Sequence, residues 1–499
     1  MSLKSIGAKV FAKYIQRKID KWSNDPIKTQ DKIFKKLIKT AKFTAFGKDH
    51  NFENIKNHTD FVNNVPVRDY EQLRPYMDRV VAGEVDVVWP GKPLYFAKTS
   101  GTTSGAKYIP LTKESIPTHI NAARNAILCY VAESGIANFV DGKMIFLQGS
   151  PELTKKNGIN LGRLSGIVAH YVPKYLQKNR MPSWETNCID DWEEKVDAIV
   201  KETIHENMTV ISGIPPWVQM YFERLKEKSQ KQIGTLFPNF ELFIYGGVNY
   251  EPYRATFEKL IGRKVASIEL YPASEGFFAF QDKQGIKGML LQLNSGMFYE
   301  FIQADTFFDK HPKRLTIEGV KTNVNYVLLV STNAGLWGYN IGDTIMFTST
   351  KPYRVIVTGR IKHFISAFGE HVIGKEVEEA LQVGANKTGV IIKEFTVAPQ
   401  INPMDGALPY HEWFIEFEEQ PENIDALAEA IDNELRAQNS YYDDLIVGKM
   451  LRRLEIRSVP ANGFNHYMKS IGKLGGQNKL PRLSNDRKIA DVLVSLIAK

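Results

Sequence analysis

The stretch KTSGTTSGAKYIPLT, residues 98–112, places six serines and threonines, two glycines and two lysines within fifteen positions. It follows an apolar run at residues 94–97 that predicts a strand, and we expect a helix to start after it. Backbone N–H groups in a glycine-rich turn can converge on a phosphate, and the hydroxyls add further donors. The alternative is an ordinary polar turn that binds nothing.

The stretch does not follow the common phosphate-loop patterns. Gly101 and Gly105 are too close together for the G-x-x-x-x-G-K-[ST] loop, and Lys107 does not directly follow Gly105. The order of residues 99–107 instead resembles the phosphate loop of adenylate-forming enzymes. This resemblance implies that the triphosphate of ATP contacts a set of small and basic residues, namely Ser100, Gly101, Thr102, Thr103, Ser104 and Lys107.

Two later segments fit the same kind of site. The strand-like run at residues 242–245 ends in Gly246 and Gly247, and a double glycine permits a flat adenine to lie close to the backbone. The segment LYPASEG at residues 270–276 resembles the Y-x-x-[ST]-E element of adenylate-forming enzymes. There Tyr271 would stack on adenine, Ser274 would contact the nucleotide, and Glu275 would hold Mg²⁺. Thr103 is the second residue that this resemblance assigns to the metal.

Two more charged residues follow in the expected order. Asp343 comes after a glycine in YNIGDT (residues 339–344), and a carboxylate there can accept hydrogen bonds from both ribose hydroxyls. Arg360 in TGRIK (residues 358–362) supplies a cation close to the domain boundary expected at residue 360. Any of these pieces alone is common, and an acidic residue after glycine is usually part of a turn. Because these segments occur in the same order as in adenylate-forming enzymes, together they predict one nucleotide site.

The chain as a whole resembles one branch of this superfamily, the acyl acid amido synthetases of the Gretchen Hagen type, named from auxin-responsive plant enzymes, and we expect it to be a bacterial relative. The resemblance rests on FVNNVPVRDYE (residues 61–71), FISAFGEHV (364–372) and GQNKLPR (476–482). It implies that Lys479 neutralises the α-phosphate during adenylation, and that a small domain rotates about a hinge near Arg360 between two half-reactions. Plant relatives commonly carry arginine where this chain has Gly338 and Asn340, and Pro272 is also unusual.

Alternating strand and helix patterns predict an α/β fold. We expect a large N-terminal domain (residues 1–360) with parallel-rich sheets, and a small α+β C-terminal domain (residues 361–499) joined to it by a hinge. Short apolar runs between residues 289 and 347, separated by turn residues, predict antiparallel strands in a β-barrel-like subdomain. The length of 499 residues favours more than one domain.

Composition narrows the function class. The net charge of +8 suits anionic substrates, and the lysines are spread over many helical faces rather than clustered with aromatic residues, so we expect no nucleic-acid partner. Two cysteines, Cys129 and Cys188, cannot form a disulfide framework, and no run of 18 apolar residues is present. A cytoplasmic protein without membrane insertion is therefore expected, and a monomer, although the sequence leaves the oligomeric state open.

These observations lead to one leading function and two alternatives. The leading prediction is a ligase that uses ATP and Mg²⁺ to adenylate a small carboxylic acid and transfers the acyl group from acyl-AMP to an amine or amino acid. The first alternative is an acyl-CoA ligase, which shares the first half-reaction. The second is a non-catalytic nucleotide- or nucleic-acid-binding protein. The sequence identifies neither the acid, nor the acceptor, nor the general base of the second half-reaction.

Overall fold

The structure is a computed structural model, and it describes residues 2–99, 107–172, 177–361, 364–365, 370, 372–401, 403, 407–475 and 479–497. The chain divides into two compact units. The N-terminal unit comprises Met1–Gly247 and Lys264–Ile356, and the C-terminal unit comprises Val248–Arg263 and Val357–Lys499. The sequence prediction placed residues 248–263 in the large domain, whereas in the structure they group with the C-terminal unit. The division at residues 360–361 itself stays a prediction.

The helices alternate with strands along much of the chain, as the sequence predicts. Those before residue 248 are α1 (Leu3–Ser23), α2 (Pro26–Ala41), α3 (Ala45–Asp49), α4 (His58–Asn64), α5 (Tyr70–Val81), α6 (Ile116–Ser134), α7 (Leu164–Ala169), α8 (Trp184–Asn187), α9 (Trp192–Thr203), α10 (Pro215–Ser229) and α11 (Ile233–Leu236). The later ones are α12 (Arg254–Ile261), α13 (Gly374–Thr388), α14 (Ile424–Gln438), α15 (Ser440–Val447), α16 (Gly463–Ser470) and α17 (Lys488–Ile497).

The strands up to residue 280 are β1 (Tyr95–Thr99), β2 (Lys107–Leu111), β3 (Lys143–Phe146), β4 (Thr154–Lys156), β5 (Ile159–Gly162), β6 (Arg180–Met181), β7 (Met208–Ser212), β8 (Leu242–Gly246), β9 (Ala266–Ala273) and β10 (Gly276–Phe280). The remaining strands are β11 (Met289–Leu291), β12 (Met297–Gln303), β13 (Asn325–Thr332), β14 (Tyr339–Thr350), β15 (Tyr353–Arg360), β16 (Phe364–Ile365), β17 (Val372–Ile373), β18 (Ile392–Gln400), β19 (Tyr410–Phe417) and β20 (Glu455–Val459).

The largest sheet has eleven strands in the order β12-β13-β14-β15-β11-β10-β9-β8-β7-β3-β6. Strands β3, β6, β7, β8 and β9 pair in parallel, so their carboxyl ends lie along one edge, where ligands of α/β sheets usually bind. The antiparallel strands expected at residues 289–347 are present, and they are hydrogen-bonded into the same sheet as the parallel strands. The reason is that β11 pairs with both β10 and β15 and so continues the parallel half.

A second sheet has the order β2-β1-β5-β4 and corrects one expectation. The residues after the glycine-rich stretch form a strand, β2, which pairs antiparallel with β1, and the next helix starts only at Ile116. Strand β2 has the sequence KYIPL, in which a proline obscures the strand pattern. The glycine-rich stretch therefore joins two paired strands.

The C-terminal unit has its own apolar core beneath the sheet β18-β19-β20. The core includes Trp413 and Ile415 of β19, and helices α13 and α14 pack on it through Leu381 and Ile431. Among the described residues, no helix is both long enough and apolar enough to span a bilayer.

Candidate active site

The tight turn between β9 and β10 carries the acidic element predicted from the sequence. Ala273 pairs with Gly276, so Ser274 and Glu275 are the two turn residues at the carboxyl end of β9. Strand β8 pairs with β9 only as far as Leu270, so Pro272 lies beyond the parallel ladder, where its missing N–H removes no bond to β8. The turn therefore presents a partly exposed carboxylate, that of Glu275, at the carboxyl edge of the parallel strands.

Tyr271 and Asp343 are joined directly. The Tyr271 hydroxyl donates a hydrogen bond of 2.7 Å to Oδ2 of Asp343, and the two residues are only 7% and 8% exposed. The Tyr271 ring packs edge-on against Phe278, with 5.0 Å between the ring centroids. A hydroxyl bound to a carboxylate in a buried setting makes a strong hydrogen bond. This contact fixes the Asp343 carboxylate relative to the end of β9.

Asp343 is aimed by an irregularity in β14. Leu329 pairs with Asn340 but Val327 pairs with Thr344, so β14 carries two extra residues between these pairs. The N–H of Gly342 donates to Oδ1 of Asn340 over 2.8 Å, and Gly342 has φ +89°, a conformation that favours glycine. Asn340 and Gly342 together explain why a carboxylate projects from the middle of a strand.

Glu275 lies close to Tyr339, whose charge environment also includes Tyr70, and the sequence assigned neither tyrosine a role. The Tyr339 hydroxyl lies 3.4 Å from Oε1 of Glu275, and burial, followed by the charge of Glu275, raises the Tyr339 pKa well above its ordinary value. Burial likewise raises the pKa of Tyr70, whose hydroxyl oxygen accepts from the N–H of Tyr108 over 2.9 Å. Both phenols are therefore protonated near neutral pH.

Tyr70 connects this acidic region to the start of β2. The Nζ atom of Lys107 lies 5.7 Å from the centre of the Tyr70 ring, within the range of a cation–π contact. Tyr70 is the first residue of α5, whose N-terminus is fixed by a capping box between Asp69 and Gln72. The pattern D-x-x-Q in residues 69–72 could have located this helix start in the sequence, but not the tyrosine contact.

The two glycines at the end of β8 have separate structural reasons. A Cβ atom at Gly246 would lie 2.5 Å from the carbonyl oxygen of Leu270 on the neighbouring strand. Gly247 has φ +87°, which disfavours a side chain. The backbone structure thus requires glycine at both positions, whether or not an adenine binds there.

The other predicted residues divide into three groups. Ser100, Gly101, Thr102, Thr103 and Ser104 lie outside the described residues. Lys107, Gly246, Gly247, Tyr271, Ser274, Glu275 and Asp343 all belong to the N-terminal unit. Arg360, at the end of β15, and Lys479 belong to the C-terminal unit.

The segment after Lys479 is firmly anchored within the C-terminal unit. Thr396 donates to the carbonyl oxygen of Pro481 over 2.7 Å, and the N–H of Val397 donates to that of Arg482 over 2.9 Å. The Arg482 side chain contacts Glu394 and the hydroxyl of Tyr253. Burial opposes the charge on Arg482, but its acidic neighbours outweigh this and raise its pKa.

The carboxylate set suits a magnesium ion that is shared with phosphates. Among the described residues, no group of three or more His, Cys, Asp and Glu side chains could hold a metal by itself. Mg²⁺, however, is commonly held by one or two carboxylates together with substrate phosphates and water. Glu275, which is partly exposed, is a carboxylate of that kind.

Comparison with known proteins identifies the family. Residues 15–188 match the N-terminal domain of the GH3 (Gretchen Hagen) family, residues 290–360 its central domain, and residues 375–488 its C-terminal domain. The chain belongs to the GH3 family. This membership confirms the resemblance predicted from the sequence.

GH3 relatives of known activity are distant in sequence. Jasmonoyl--L-amino acid synthetase JAR4 of Nicotiana attenuata is 21% identical over 394 residues, covering 65% of this chain and 67% of that protein. Indole-3-acetic acid-amido synthetase GH3.15 of Arabidopsis thaliana is 36% identical over 104 residues, covering 20% of this chain and 17% of that protein. The shared family is therefore clearer than any shared substrate.

Solved structures of GH3 and related enzymes share the fold. The AtGH3.15 acyl acid amido synthetase in complex with 2,4-DB has a TM-score of 0.80 at 16% identity, covering 97% of this chain and 96% of that one. A 2-hydroxyisobutyryl-CoA ligase has a TM-score of 0.58 at 12% identity, covering 94% and 91%. The predicted adenylate-forming α/β fold class is confirmed.

Proposed function

We propose that this GH3 chain is an ATP-dependent ligase that adenylates a small carboxylic acid and transfers the acyl group to an amine or amino acid. The observation that carries the proposal is the Tyr271–Asp343 hydrogen bond beside the Glu275 turn, at the carboxyl edge of the parallel strands. This arrangement supports a nucleotide site because it holds the Asp343 carboxylate, which would bind ribose, close to the Glu275 carboxylate, which would bind a metal. The family's amido synthetases support the overall reaction.

In the first half-reaction, a carboxylate oxygen of the acid attacks the α-phosphorus of ATP. The bond between the α-phosphorus and the bridging oxygen breaks, and pyrophosphate leaves with that electron pair. Asp343 would accept from the ribose hydroxyls, and Tyr271 would hold its carboxylate in place. Glu275 and Thr103 would hold Mg²⁺, which would supply positive charge to the phosphate oxygens. Positioned cations and N–H donors stabilise such a transition state.

The remaining residue assignments follow from the sequence resemblance. Ser100, Gly101, Thr102, Thr103, Ser104 and Lys107 would contact the phosphates, Gly246 and Gly247 the adenine, and Ser274 and Arg360 the nucleotide. Lys479 would neutralise the α-phosphate. In the second half-reaction, the nitrogen of the acceptor attacks the acyl carbon, the bond to AMP breaks, and the nitrogen loses a proton. We further propose a cytoplasmic monomer with no nucleic-acid partner.

The proposal is tested by pyrophosphate exchange with ATP and Mg²⁺ over a panel of aromatic, fatty and hydroxy acids. We expect at least one acid to support exchange, and Asp343→Asn to reduce it about 100-fold, as for the loss of one strong electrostatic contact. The exposed Asp309 of the same unit provides the matched control, and Asp309→Asn should leave exchange unchanged. Folded protein that exchanges with no acid would contradict the proposal.

The acyl-CoA ligase alternative requires a separate measurement, because both reactions begin with adenylation. Once an active acid is found, product formation is compared with CoA, with amino acids and with hydroxylamine as acceptors. A thioester formed in preference to every amide would favour the alternative.

A further inference from the structure

Two cations flank the carboxyl end of β1. This strand lies between β2 and β5, with Thr99 opposite Lys107 on one side and Ala97 opposite Gly162 on the other. Arg163 directly follows Gly162, and β1 and β5 are parallel, so Arg163 lies at the same edge as the end of β1. Since neighbouring strands are about 4.8 Å apart, the backbones of Lys107 and Arg163 are roughly 10 Å apart across β1.

The Arg163 side chain extends from β5 to the end of β3. A Cβ atom at Gly149, just after β3, would lie 3.1 Å from Cδ of Arg163 and 3.7 Å from its Nη1. Glycine at position 149 therefore leaves the space that the arginine occupies. The side chain is partly exposed, and it makes no hydrogen bond or ion pair with any other residue in the part of the chain that the structure describes.

Burial affects Arg163 and two other basic side chains of the same unit. Burial lowers the pKa of both Arg163 and Arg180, and it lowers that of Lys195 to about 8. Arg180 donates to the carbonyl oxygen of Ala169 over 3.1 Å, and Lys195 donates to that of Asn187, so both have structural roles. The carboxylate of Asp190 is the charged neighbour that raises the Arg163 pKa. Arg163 is thus a partly exposed arginine that has no hydrogen-bonded acidic partner among the described residues.

We propose that Arg163 binds the β- and γ-phosphates of ATP and, with Lys107 on the other side of β1, retains the pyrophosphate as it leaves. This inference rests on the proposed function. A guanidinium matches two phosphate oxygens at once, and charge-assisted pairs of this kind are among the strongest hydrogen bonds in proteins. The sequence pattern of the glycine-rich stretch does not predict this role for Arg163, because Arg163 is 56 positions after Lys107 in the sequence.

The test separates triphosphate from monophosphate binding. Equilibrium titrations would measure the affinities of full-length wild type, Arg163→Gln and Arg163→Lys for Mg-ATP, inorganic pyrophosphate and AMP. We expect Arg163→Gln to weaken ATP and pyrophosphate binding about 10- to 100-fold, the value for a lost hydrogen-bonded charge, and AMP binding less than about twofold. Arg163→Lys keeps the positive charge but not the guanidinium that binds two oxygens at once. Its loss of affinity for ATP and pyrophosphate should therefore be intermediate.

A surface arginine of the same unit serves as the control. Arg224 lies 3.9 Å from Asp197 and 3.6 Å from Glu227, and Arg224→Gln should bind all three probes as wild type does. If Arg163→Gln is too unstable to titrate, Arg163→Lys carries the test, because it preserves the stem that packs against Gly149.

Three results would overturn the inference while leaving the proposed function intact. They are unchanged affinities for ATP and pyrophosphate in both variants, an equal loss for ATP and AMP, and a loss that affects only the Michaelis constant of the acid or the acceptor. The last would assign Arg163 to a substrate carboxylate instead. Wild-type protein that binds no ATP would refute the proposed function itself, and this inference with it.

Discussion

The Tyr271→Phe substitution tests the central contact of the candidate site. It removes one hydroxyl and keeps the ring that packs against Phe278, so the expected change is the loss of a single 2.7 Å bond to Asp343. A hydrogen bond to a charged group contributes roughly 1.5–3 kcal/mol, and the buried Asp343 carboxylate would lose that partner. If half or more of this energy serves to orient Asp343 toward ribose, ATP affinity should fall about 4- to 160-fold.

The assay is a direct titration of Mg-ATP, accompanied by thermal unfolding of each variant. Tyr299 provides a matched control because it is a buried tyrosine of the same unit whose hydroxyl donates to the carbonyl oxygen of Gln292 over 3.2 Å. Tyr299→Phe should lower the unfolding temperature slightly and leave ATP affinity unchanged. If Tyr271→Phe also lowered only the unfolding temperature, Asp343 would not bind the nucleotide in the orientation that Tyr271 gives it.

Three further predictions concern other parts of the chain. Gly246→Ala should destabilise the N-terminal unit by about 1–3 kcal/mol, because the new Cβ would meet the Leu270 carbonyl oxygen; an unfolding temperature equal to wild type would refute this. Lys479→Ala should reduce pyrophosphate exchange about 100-fold while ATP affinity changes little, and unaltered exchange would remove Lys479 from the mechanism. Burial lowers the pKa of His119, which is 4% exposed, to about 4, so the unfolded chain binds the extra proton between pH 6.5 and 4. Stability should therefore fall by a few kcal/mol as the pH decreases through this range, and His119→Gln should reduce that dependence whereas the exposed His205→Gln should not.

Local sequence pattern predicted many of the elements and failed where pairing decides the structure. The apolar run at residues 242–245 corresponds to β8, and the short apolar runs between residues 289 and 347 correspond to the antiparallel strands β11 to β14. Strand β2 was missed because its five residues include Pro110 and become recognisable only through their register with β1. The single sheet that joins the parallel and antiparallel halves was missed for the same reason, since its continuity depends on β11.

The site could be predicted as a set of motifs but not as a set of contacts. Tyr271 and Asp343 were each singled out, yet the bond between them spans 72 positions, and no local pattern specifies which side chains meet at that distance. Tyr70 and Tyr339 lie within quoted segments, but the sequence assigns them no role because their contacts, with Tyr108 and Glu275, depend on the fold. Arg163 was overlooked because its significance depends on the parallel pairing of β1 with β5.

The departure from the plant pattern at Gly338 and Asn340 has a physical explanation in this chain. Gly338 has φ +52°, and a Cβ there would lie 3.1 Å from the carbonyl oxygen of Pro66 and 3.2 Å from Nη2 of Arg314, so an arginine would meet both a strained backbone and a like charge. Arg314 does not replace the missing arginine as a ligand contact, because it is buried and paired with Glu300 over 2.6 Å.

The segment around Gly338 is held instead by backbone pairing with the segment FVNNVPVRDYE at residues 61–71. The N–H of Arg68 donates to the carbonyl oxygen of Gly338 over 3.1 Å, and the N–H of Asn340 donates to that of Arg68 over 2.8 Å. Asn340 then uses its side chain to hold Gly342, which directs Asp343. The position of Asp343 is therefore set by main-chain bonds and one amide side chain, so the ribose role proposed for it does not depend on the arginines that plant members carry.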